Sequence, residues 1–276
     1  MTDRLTRALE DLVRGVDGEA GIYARRLDDG REVTAGVQDH RFPTGSAAKA
    51  LVLAAYALAV DAEEIDPHRR VAVDSTYQAA RPGSGVLRHL EPGLSPTLED
   101  CAALMMIVSD NVATDLVLDA LGGPDGVNGR RGELGDPDVE ITSPTVWVAP
   151  PGQFAMATPA GLASVWERWH ATDAVAQRCR RITWRQQHRE GFGRLVPFSP
   201  DLIDFGLQSP LGLWSKPGSY PTVSCEGGLF ECDGASWVLA VMAEGLADWG
   251  NHATSVGPAL RAEASKLVYE RWRPPE

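Results

Sequence analysis

The sequence predicts an α/β protein of the α+β kind, with one sheet built from both ends of the chain and a helical lobe between them. Strand patterns bounded by turn residues occur twice, at 20–35 and at 213–244. Between them, residues 47–190 show helical periodicity interrupted by loops. Strands from opposite ends of a chain that pack as one sheet leave the middle as an inserted lobe.

The length of 276 residues is enough to bury a sizeable core, and it fits one large domain better than a string of modules. We therefore expect a single domain over 1–276 that consists of two lobes. The sheet lobe is expected to combine 1–40 with 210–276. The helical lobe is expected to span 41–209.

The individual elements follow from local patterns. An amphipathic helix opens the chain, and the hairpin turn Asp28-Asp29-Gly30 joins the first two strands. The predicted strands are 20–26, 31–35, 213–219, 224–232 and 236–244. The predicted helices after the first are 47–60, 98–108, 111–121, 158–170 and 254–272.

The composition disfavours two classes of partner. A formal charge of −12 and a pI near 5.0 argue against nucleic acid, and the arginine-rich stretch 178–194 is interpreted as a solvated helix face. No run approaches the roughly eighteen consecutive apolar residues of a membrane span. Residues 1–16 lack the apolar core of a secretory leader. We expect a cytoplasmic protein with neither nucleic acid nor a membrane as its partner.

The cysteines and histidines indicate no metal or cofactor. Cys101, Cys179, Cys225 and Cys232 form no C-x-x-C pair and no metal-like spacing with the six histidines. No haem, nucleotide or zinc signature is present, so no cofactor is expected. Cys101 is predicted to be a small buried apolar residue.

The first of three chemical motifs is Ser46-Ala47-Ala48-Lys49. It follows a turn signal at Gly45 and opens an alanine- and leucine-rich run without Gly or Pro, so Ser46 is predicted at a helix N-terminus. The i, i+3 spacing then places the Lys49 ammonium on the same face as the Ser46 hydroxyl. Because a serine hydroxyl is a poor nucleophile until a base takes its proton, this pair is a candidate nucleophile and base.

The other two motifs supply a second hydroxyl and a second ammonium. Ser109-Asp110-Asn111 stands between two predicted helices, and Lys216-Pro217-Gly218 lies in a predicted strand. Each motif alone is weak, since a triplet such as S-D-N also serves as a helix cap. The three motifs in this order are much more specific than any one of them.

With these motifs the sequence resembles the class A β-lactamase and penicillin-binding-protein superfamily of serine hydrolases, whose motifs are S-x-x-K, S-D-N and K-T-G. Further similar stretches are Arg41-Phe42-Pro43, 113–124, Leu134-Gly135-Asp136 and Ala157-Thr158-Pro159. The resemblance covers nearly the whole chain. It implies a β-lactamase/transpeptidase-like fold: an antiparallel sheet of about five strands flanked by terminal helices, with an all-helical inserted lobe that meets the sheet at the active site.

The resemblance also implies catalytic roles. Ser46 would be acylated, Lys49 would serve as the general base, and Ser109 would relay a proton to the leaving group of a small-molecule substrate. Lys216 would supply positive charge beside Ser109. The backbone N–H groups of Ser46 and Ser219 would form the oxyanion hole.

Four residues are expected to bind substrate. Asn111 would hold the substrate amide or bind the catalytic lysine, and Gly218 belongs to the third motif. Ser84 lies in a Gly-rich loop at the lip of the site, and Trp214 precedes the third motif in its strand. Trp147, in the region of the omega loop, is a further residue of interest. Asp110 is expected to hold its loop through backbone hydrogen bonds.

Two positions depart from the family pattern. Thr145 stands where class A β-lactamases carry the omega-loop glutamate that activates the deacylating water, so an acyl-enzyme should hydrolyse slowly. Asp138 and Glu140 are interpreted as solvated loop residues rather than replacements. Pro217 stands where K-T-G has a hydroxyl that helps to bind a substrate carboxylate, and a proline must face away from the strand ladder or lie on an edge strand.

Three functions remain open at this stage. The first is a serine hydrolase acting on an amide, ester or β-lactam through acyl-Ser46, with weak β-lactamase activity. The second is an acyltransferase that passes the acyl group to an amine or alcohol. The third is a non-catalytic protein that binds a ligand, which the presence of every motif residue makes the weakest of the three.

Overall fold

The two ends of the chain form one antiparallel sheet. The computed structural model describes residues 4–75, 83–145 and 154–275. The strands of these residues are β1 (Glu19–Arg26), β2 (Glu32–Gly36), β3 (Phe42–Pro43), β4 (Val139–Ile141), β5 (Ala155–Ala157), β6 (Gly212–Tyr220), β7 (Val223–Cys232) and β8 (Ala235–Glu244). Five of them form the main sheet in the order β2-β1-β8-β7-β6, and all neighbours are antiparallel. The predicted fold class and sheet are confirmed.

Helices cover both faces of this sheet. The α-helices of the described residues are α1 (Arg4–Arg14), α2 (Lys49–Asp61), α3 (Leu98–Ile107), α4 (Asn111–Ala120), α5 (Gly123–Asn128), α6 (Pro159–Glu167), α7 (Ala174–Thr183) and α8 (Val256–Trp272). The terminal helices α1 and α8 pack on each other and on one face, and α6 packs on the other face. The lobe boundaries at 40 and 210 stay predictions.

The strand β8 shows why the sheet is the centre of the protein. Its side chains alternate between two apolar clusters: Val238 and Ala240 belong to the cluster shared with the helical lobe, whereas Leu239 and Val241 belong to the cluster under the terminal helices. Successive side chains of a strand point to opposite faces, so a strand covered on both sides is apolar at nearly every position.

The middle of the chain is not entirely helical, which corrects one expectation. The three short strands β3, β5 and β4 form a second sheet in that order. Thr44, just after β3, continues this pairing because its N–H donates to the carbonyl of Ala155 at 2.9 Å. The second sheet thereby fixes the segment that leads into the first chemical motif.

The helix α2 is buried on almost all sides, which is typical of the central helix of a helical lobe. Its first residue, Lys49, is a charged residue with no exposed surface. Burying an ammonium group costs free energy unless hydrogen bonds or opposite charges compensate for the lost hydration. The placement of this lysine therefore indicates a special environment.

Two sequence features can be compared directly with the structure. The four cysteines are free and buried, Cys101 included, as expected for small apolar side chains. Among the residues that the structure describes, no helix combines the length and the apolar character needed to cross a lipid bilayer.

Candidate active site

Ser46 lies in a short 3-10 turn, Gly45–Ala48, which leads directly into α2 and places Ser46 at the N-terminal end of this helical segment, as predicted. The helix α2 begins three residues later, at Lys49. Gly45 has a φ of +51°, a left-handed conformation that favours glycine, and a Cβ there would lie 2.9 Å from the backbone nitrogen of Ser219. The turn is tight because the edge of the main sheet passes directly beside it.

That edge is β6, the outermost strand of the main sheet. A Cβ on Gly218 would lie 2.6 Å from the backbone nitrogen of Ser46 and closer still to the carbonyl oxygen of Thr44. Only a glycine lets the strand approach so closely. The third chemical motif is thus packed against the backbone of the first.

Pro217 fits β6 because this strand is an edge strand. A proline has no N–H to donate, so its nitrogen belongs on the open side of the ladder. Backbone N–H groups two residues apart point to the same side, which directs the N–H of Ser219 to the open side as well. The closeness of the Ser219 nitrogen to Gly45 agrees with this direction.

The Lys49 ammonium contacts the second motif. Its Nζ donates hydrogen bonds to the carbonyl oxygen of Ser109 at 2.8 Å, to the hydroxyl oxygen of Ser109 at 3.2 Å and to Oδ1 of Asn111 at 2.8 Å. Of the two roles expected for Asn111, the structure thus places it in contact with the lysine. No sequence pattern specifies these contacts, since the partners lie about sixty positions apart.

The Ser109 hydroxyl lies between two ammonium groups. Lys216, which is also fully buried, donates a hydrogen bond from Nζ to Ser109 Oγ at 3.1 Å and another to the carbonyl oxygen of Pro217 at 2.8 Å. Ser109 has a φ of +57°, an uncommon conformation for a serine. Such strained residues cluster at functional sites, and here the strain presents the hydroxyl and the carbonyl of Ser109 to the same lysine.

Burial lowers the pKa of both lysines. The pKa of Lys49 falls to about 7 because desolvation disfavours the charged form, against the opposing charges of Asp110 and Asp115. The pKa of Lys216 is also lowered, first by burial and then by the neighbouring Lys49 charge, with Glu226 acting in the opposite direction. A lysine with a pKa near 7 can act as a general base at neutral pH.

Asp110 holds the loops around the site, as expected. One carboxylate oxygen accepts from the N–H of Ala113 at 2.9 Å and caps α4. The other accepts from the N–H groups of Val86 at 2.6 Å and Leu87 at 2.8 Å. The carbonyl of Ser84 accepts from the Asn111 N–H at 3.1 Å, so the Ser84 loop is tied to the second motif.

A cleft opens where these elements meet. It brings together five of the predicted residues, Ser46, Ser84, Ser109, Lys216 and Ser219, along with Pro217. Its other lining residues, which the sequence analysis missed, are His188, Glu190, Asn251 and Arg261. His188 and Glu190 lie in one loop, Asn251 lies in a second loop and Arg261 lies in α8. These residues match no motif, so only the three-dimensional fold reveals them.

Trp214 does not line this cleft: its ring packs 5.4 Å from the ring of Trp184, and the Arg180 guanidinium lies 5.6 Å above it. Its predicted contact with substrate is therefore not supported, because neighbouring side chains occupy its face of β6. Trp147 lies outside the described residues.

Thr145 is the residue that the sequence analysis expects at the position of the omega-loop glutamate. Its N–H donates to Asp115 Oδ1 at 2.8 Å and its hydroxyl donates to the carbonyl oxygen of Asn111 at 3.1 Å. Asp138 and Glu140 instead face Arg41 at 3.5 and 3.4 Å and remain half exposed. Neither of these carboxylates lines the cleft.

The described residues contain one group of side chains with metal-ligand spacing, Glu19, His40 and Glu244. His40 Nε2 lies 2.6 Å from Glu244 Oε1, which is a sufficient partner for the imidazole. None of the three residues lines the cleft.

This geometry can be compared with known proteins. The model of the beta-lactamase enzyme family matches residues 4–272. The chain belongs to the beta-lactamase enzyme family. It is similar to Beta-lactamase OXY-2 of Klebsiella oxytoca, with 26% identity over 196 residues. That match covers 69% of this chain and 66% of the Klebsiella enzyme, just under two thirds of its length.

Solved structures of this family share the fold over almost the whole chain. A beta-lactamase from Sphaerobacter thermophilus has 26% identity and a TM-score of 0.82, with 98% of both chains covered. A mutant of PBP-A, solved as an acyl-enzyme complex with penicillin G, has 24% identity and a TM-score of 0.77, with 97% of this chain and 95% of that chain covered.

Proposed function

We propose that this member of the beta-lactamase family is a serine hydrolase that forms a covalent acyl-enzyme at Ser46 with an amide, ester or β-lactam carbonyl. The observation that supports it best is the Ser109 hydroxyl, which lies between the buried ammonium groups of Lys49 and Lys216. The Ser46 turn stands beside this group and against the edge of β6. A nucleophile, a base and a proton relay are thus within one site.

In the proposed reaction, the Ser46 oxygen attacks the carbonyl carbon and its proton passes to the neutral Lys49 amine. The bond from the carbonyl carbon to the leaving nitrogen or oxygen then breaks. The Ser109 hydroxyl gives its proton to that atom and receives one from Lys49, to which it is hydrogen-bonded. Lys216 keeps the Ser109 oxygen in place throughout.

The N–H groups of Ser46 and Ser219 would stabilise the negative charge that develops on the carbonyl oxygen. The tight contact between Gly45, Gly218 and these two backbone nitrogens supports this role. Each donor of such an oxyanion hole typically lowers the barrier by about 3 kcal/mol.

Deacylation is the slow step in this proposal. Thr145 has no carboxylate to activate water, and Asp110 and Asp115 accept hydrogen bonds from backbone N–H groups. We therefore propose only weak β-lactamase activity. The same observation favours acyl transfer as a second function, because an acyl-enzyme protected from water survives long enough to meet an amine or alcohol.

The decisive experiment is time-resolved intact mass spectrometry with penicillin G, run on the native protein and on Ser46→Ala. A long-lived adduct that is lost in Ser46→Ala supports the proposal with slow deacylation. A transient adduct with accumulating product indicates an efficient β-lactamase and contradicts the predicted slow step. An equal adduct in Ser46→Ala would remove Ser46 from the mechanism.

A matched measurement separates hydrolysis from transfer. Once the penicillin adduct has formed, excess ligand is removed and hydroxylamine or glycinamide is added. Loss of the adduct at a rate proportional to the amine concentration, with the acylated amine as product, supports the transferase. Loss at a rate independent of the amine supports hydrolysis.

A further inference from the structure

Glu190 lines the cleft beside Ser46, and its carboxylate forms no ion pair with any residue that the structure describes. Within the described residues, no lysine or arginine nitrogen lies within the 4 Å of an ion pair from it, and the adjacent Arg189 pairs with Asp201 at 2.7 and 3.2 Å instead. Glu190 is only partly exposed. A partly desolvated carboxylate without a counter-charge is unfavourable, so a bound cation would stabilise it.

A buried imidazole lies near this carboxylate. His188 lines the same wall, and its buried Nε2 has no hydrogen-bond partner among the described residues. Burial and the neighbouring Lys216 lower the pKa of the imidazole, so the ring is neutral near pH 7. The negative charge of Glu190 acts on both His188 and Lys216, which places these groups close together.

The two basic side chains that line the cleft are engaged within the protein: Lys216 donates to the Ser109 hydroxyl and the Pro217 carbonyl, and Arg261 pairs with Glu226. The guanidinium of Arg261 lies 3.3 Å from Glu226 Oε2 in a fully buried pair. Glu226 also accepts hydrogen bonds from Ser215 Oγ at 2.8 Å and from the Phe192 N–H at 3.1 Å. Because this pair is enclosed and hydrogen-bonded on both sides, Arg261 has little charge to offer an anion in the cleft.

The wall formed by β6 lacks a donor at one position. Pro217 contributes a ring that has neither a hydroxyl nor an N–H, at the position where a hydroxyl would help to bind a carboxylate. Ser219 and Lys216 are donors of the same wall, but the Lys216 Nζ is already hydrogen-bonded to Ser109 and Pro217. Beside the Pro217 ring, the cleft presents a paired guanidinium and a carboxylate that has no ion pair within the described residues.

We propose that the cleft favours substrates that carry a cationic group near the scissile carbonyl over those that carry a carboxylate there, which still react but more slowly. This inference rests on the proposed function, since it assigns the substrate class of the same Ser46 site. Glu190 is the specificity-determining residue, attracting the cation and repelling the anion. Discrimination of this kind needs both the attractive and the repulsive contact.

The test uses three p-nitrophenyl methylphosphonate esters that differ only in the terminal group of the side chain. This group is trimethylammonium in the first probe, tert-butyl in the second and carboxylate in the third. The Ser46 oxygen attacks phosphorus, p-nitrophenolate leaves with the bonding electrons, and the serine proton is lost to the base. Intact mass spectrometry measures the rate of modification, which needs no deacylation. The trimethylammonium and tert-butyl groups match in size, so their ratio reports charge alone.

We expect the cationic probe to react about tenfold faster than the neutral one, and the anionic probe about tenfold more slowly. The ratios should fall as the salt concentration rises, because ions screen the Glu190 charge. Ser46-dependent modification with equal rates overturns this inference and leaves the proposed function standing. Modification that is absent, or unchanged in Ser46→Ala, overturns both.

The variant Glu190→Gln removes the charge at constant shape. We expect the ratio of cationic to neutral rates to fall to about one in this variant. Glu133→Gln is the matched control, because Glu133 is an exposed glutamate that does not line the cleft, and it should keep the native ratio. A preference that persists in Glu190→Gln would overturn the assignment, and the salt dependence of the native protein tests it even if this variant fails to fold.

Discussion

The ammonium of Lys49 and the residue Ser109 are joined by two hydrogen bonds, 2.8 Å to the carbonyl oxygen and 3.2 Å to the hydroxyl oxygen. The first bond needs the left-handed backbone of Ser109, whose φ is +57°. The second connects the candidate base to the candidate proton relay. The base of the first motif is thus positioned by the backbone of the second, and the predictions below follow from this arrangement.

The rate of acylation should depend on the protonation of Lys49. Its pKa is lowered to about 7 by burial, and only the neutral amine can accept the Ser46 proton. We expect the rate of penicillin adduct formation to rise with pH, tenfold per pH unit below pH 7, and to level off above it. Intact mass spectrometry between pH 5 and 9 measures this profile. A rate that is flat across this range would exclude Lys49 as the base.

The stability of the protein should carry the signature of the same lysine. Because the pKa of Lys49 is lower in the folded state, the unfolded chain binds more protons between pH 7 and 10.5, and the free energy of unfolding rises with pH in that window. The slope has a limit of about 1.4 kcal/mol per pH unit. The difference between the native protein and Lys49→Met in urea unfolding isolates this contribution from other titrating groups. It should grow from pH 7 to pH 10 and stay constant below pH 6.

Gly218→Ala should impair acylation more than folding. The added Cβ would lie 2.6 Å from the backbone nitrogen of Ser46, so β6 must move away from the Ser46 turn. We expect acylation to slow by about a hundredfold, as when one oxyanion-hole donor is lost. Gly132→Ala is the control, since nothing lies within 4 Å of a Cβ there. Equal acylation rates in the two variants would contradict the placement of the oxyanion hole.

Thr145→Glu should accelerate deacylation. The Thr145 hydroxyl donates to the backbone carbonyl of Asn111, and the side chain of Asn111 accepts a hydrogen bond from Lys49. A carboxylate at position 145 would therefore lie near the candidate base and can activate a water. General-base catalysis typically contributes a hundredfold or more, and we expect at least about tenfold in this unoptimised setting. The lifetime of the penicillin adduct is the measurement. Thr145→Gln, of equal size without the charge, should keep the slow native rate.

The sequence predicted the elements of the fold well because local patterns determine them. Strands such as β7 and β8 were expected within one residue of their observed bounds, since their residues alternate between two apolar clusters. The short strands β3 to β5 were missed. With two or three residues each, they have no periodicity to detect, and only their pairing defines them.

The site was predictable only in part, for a physical reason. The motifs Ser46, Lys49, Ser109 and Lys216 were found because their residue types are tied to chemistry. The predicted substrate contact of Trp214 found no support, because packing by Trp184 cannot be inferred from its position in a strand. Glu190 and His188 were missed because a cleft wall made from a loop depends on how distant elements pack, and nothing in their local sequence marks them.

The pairing of β1 with β8 has a consequence for how the protein is made. Residues Glu19 and Glu244 are opposite each other in that ladder, so the centre of the sheet joins the first and last strands of the chain. Until β8 has been synthesised, the β1–β2 hairpin lacks the strand that pairs with β1, and the helical lobe lacks the central part of the sheet on which it packs. Lys216 and Arg261 also follow the helical lobe in the sequence, so we expect the site to be complete only after β8 and α8 have been synthesised.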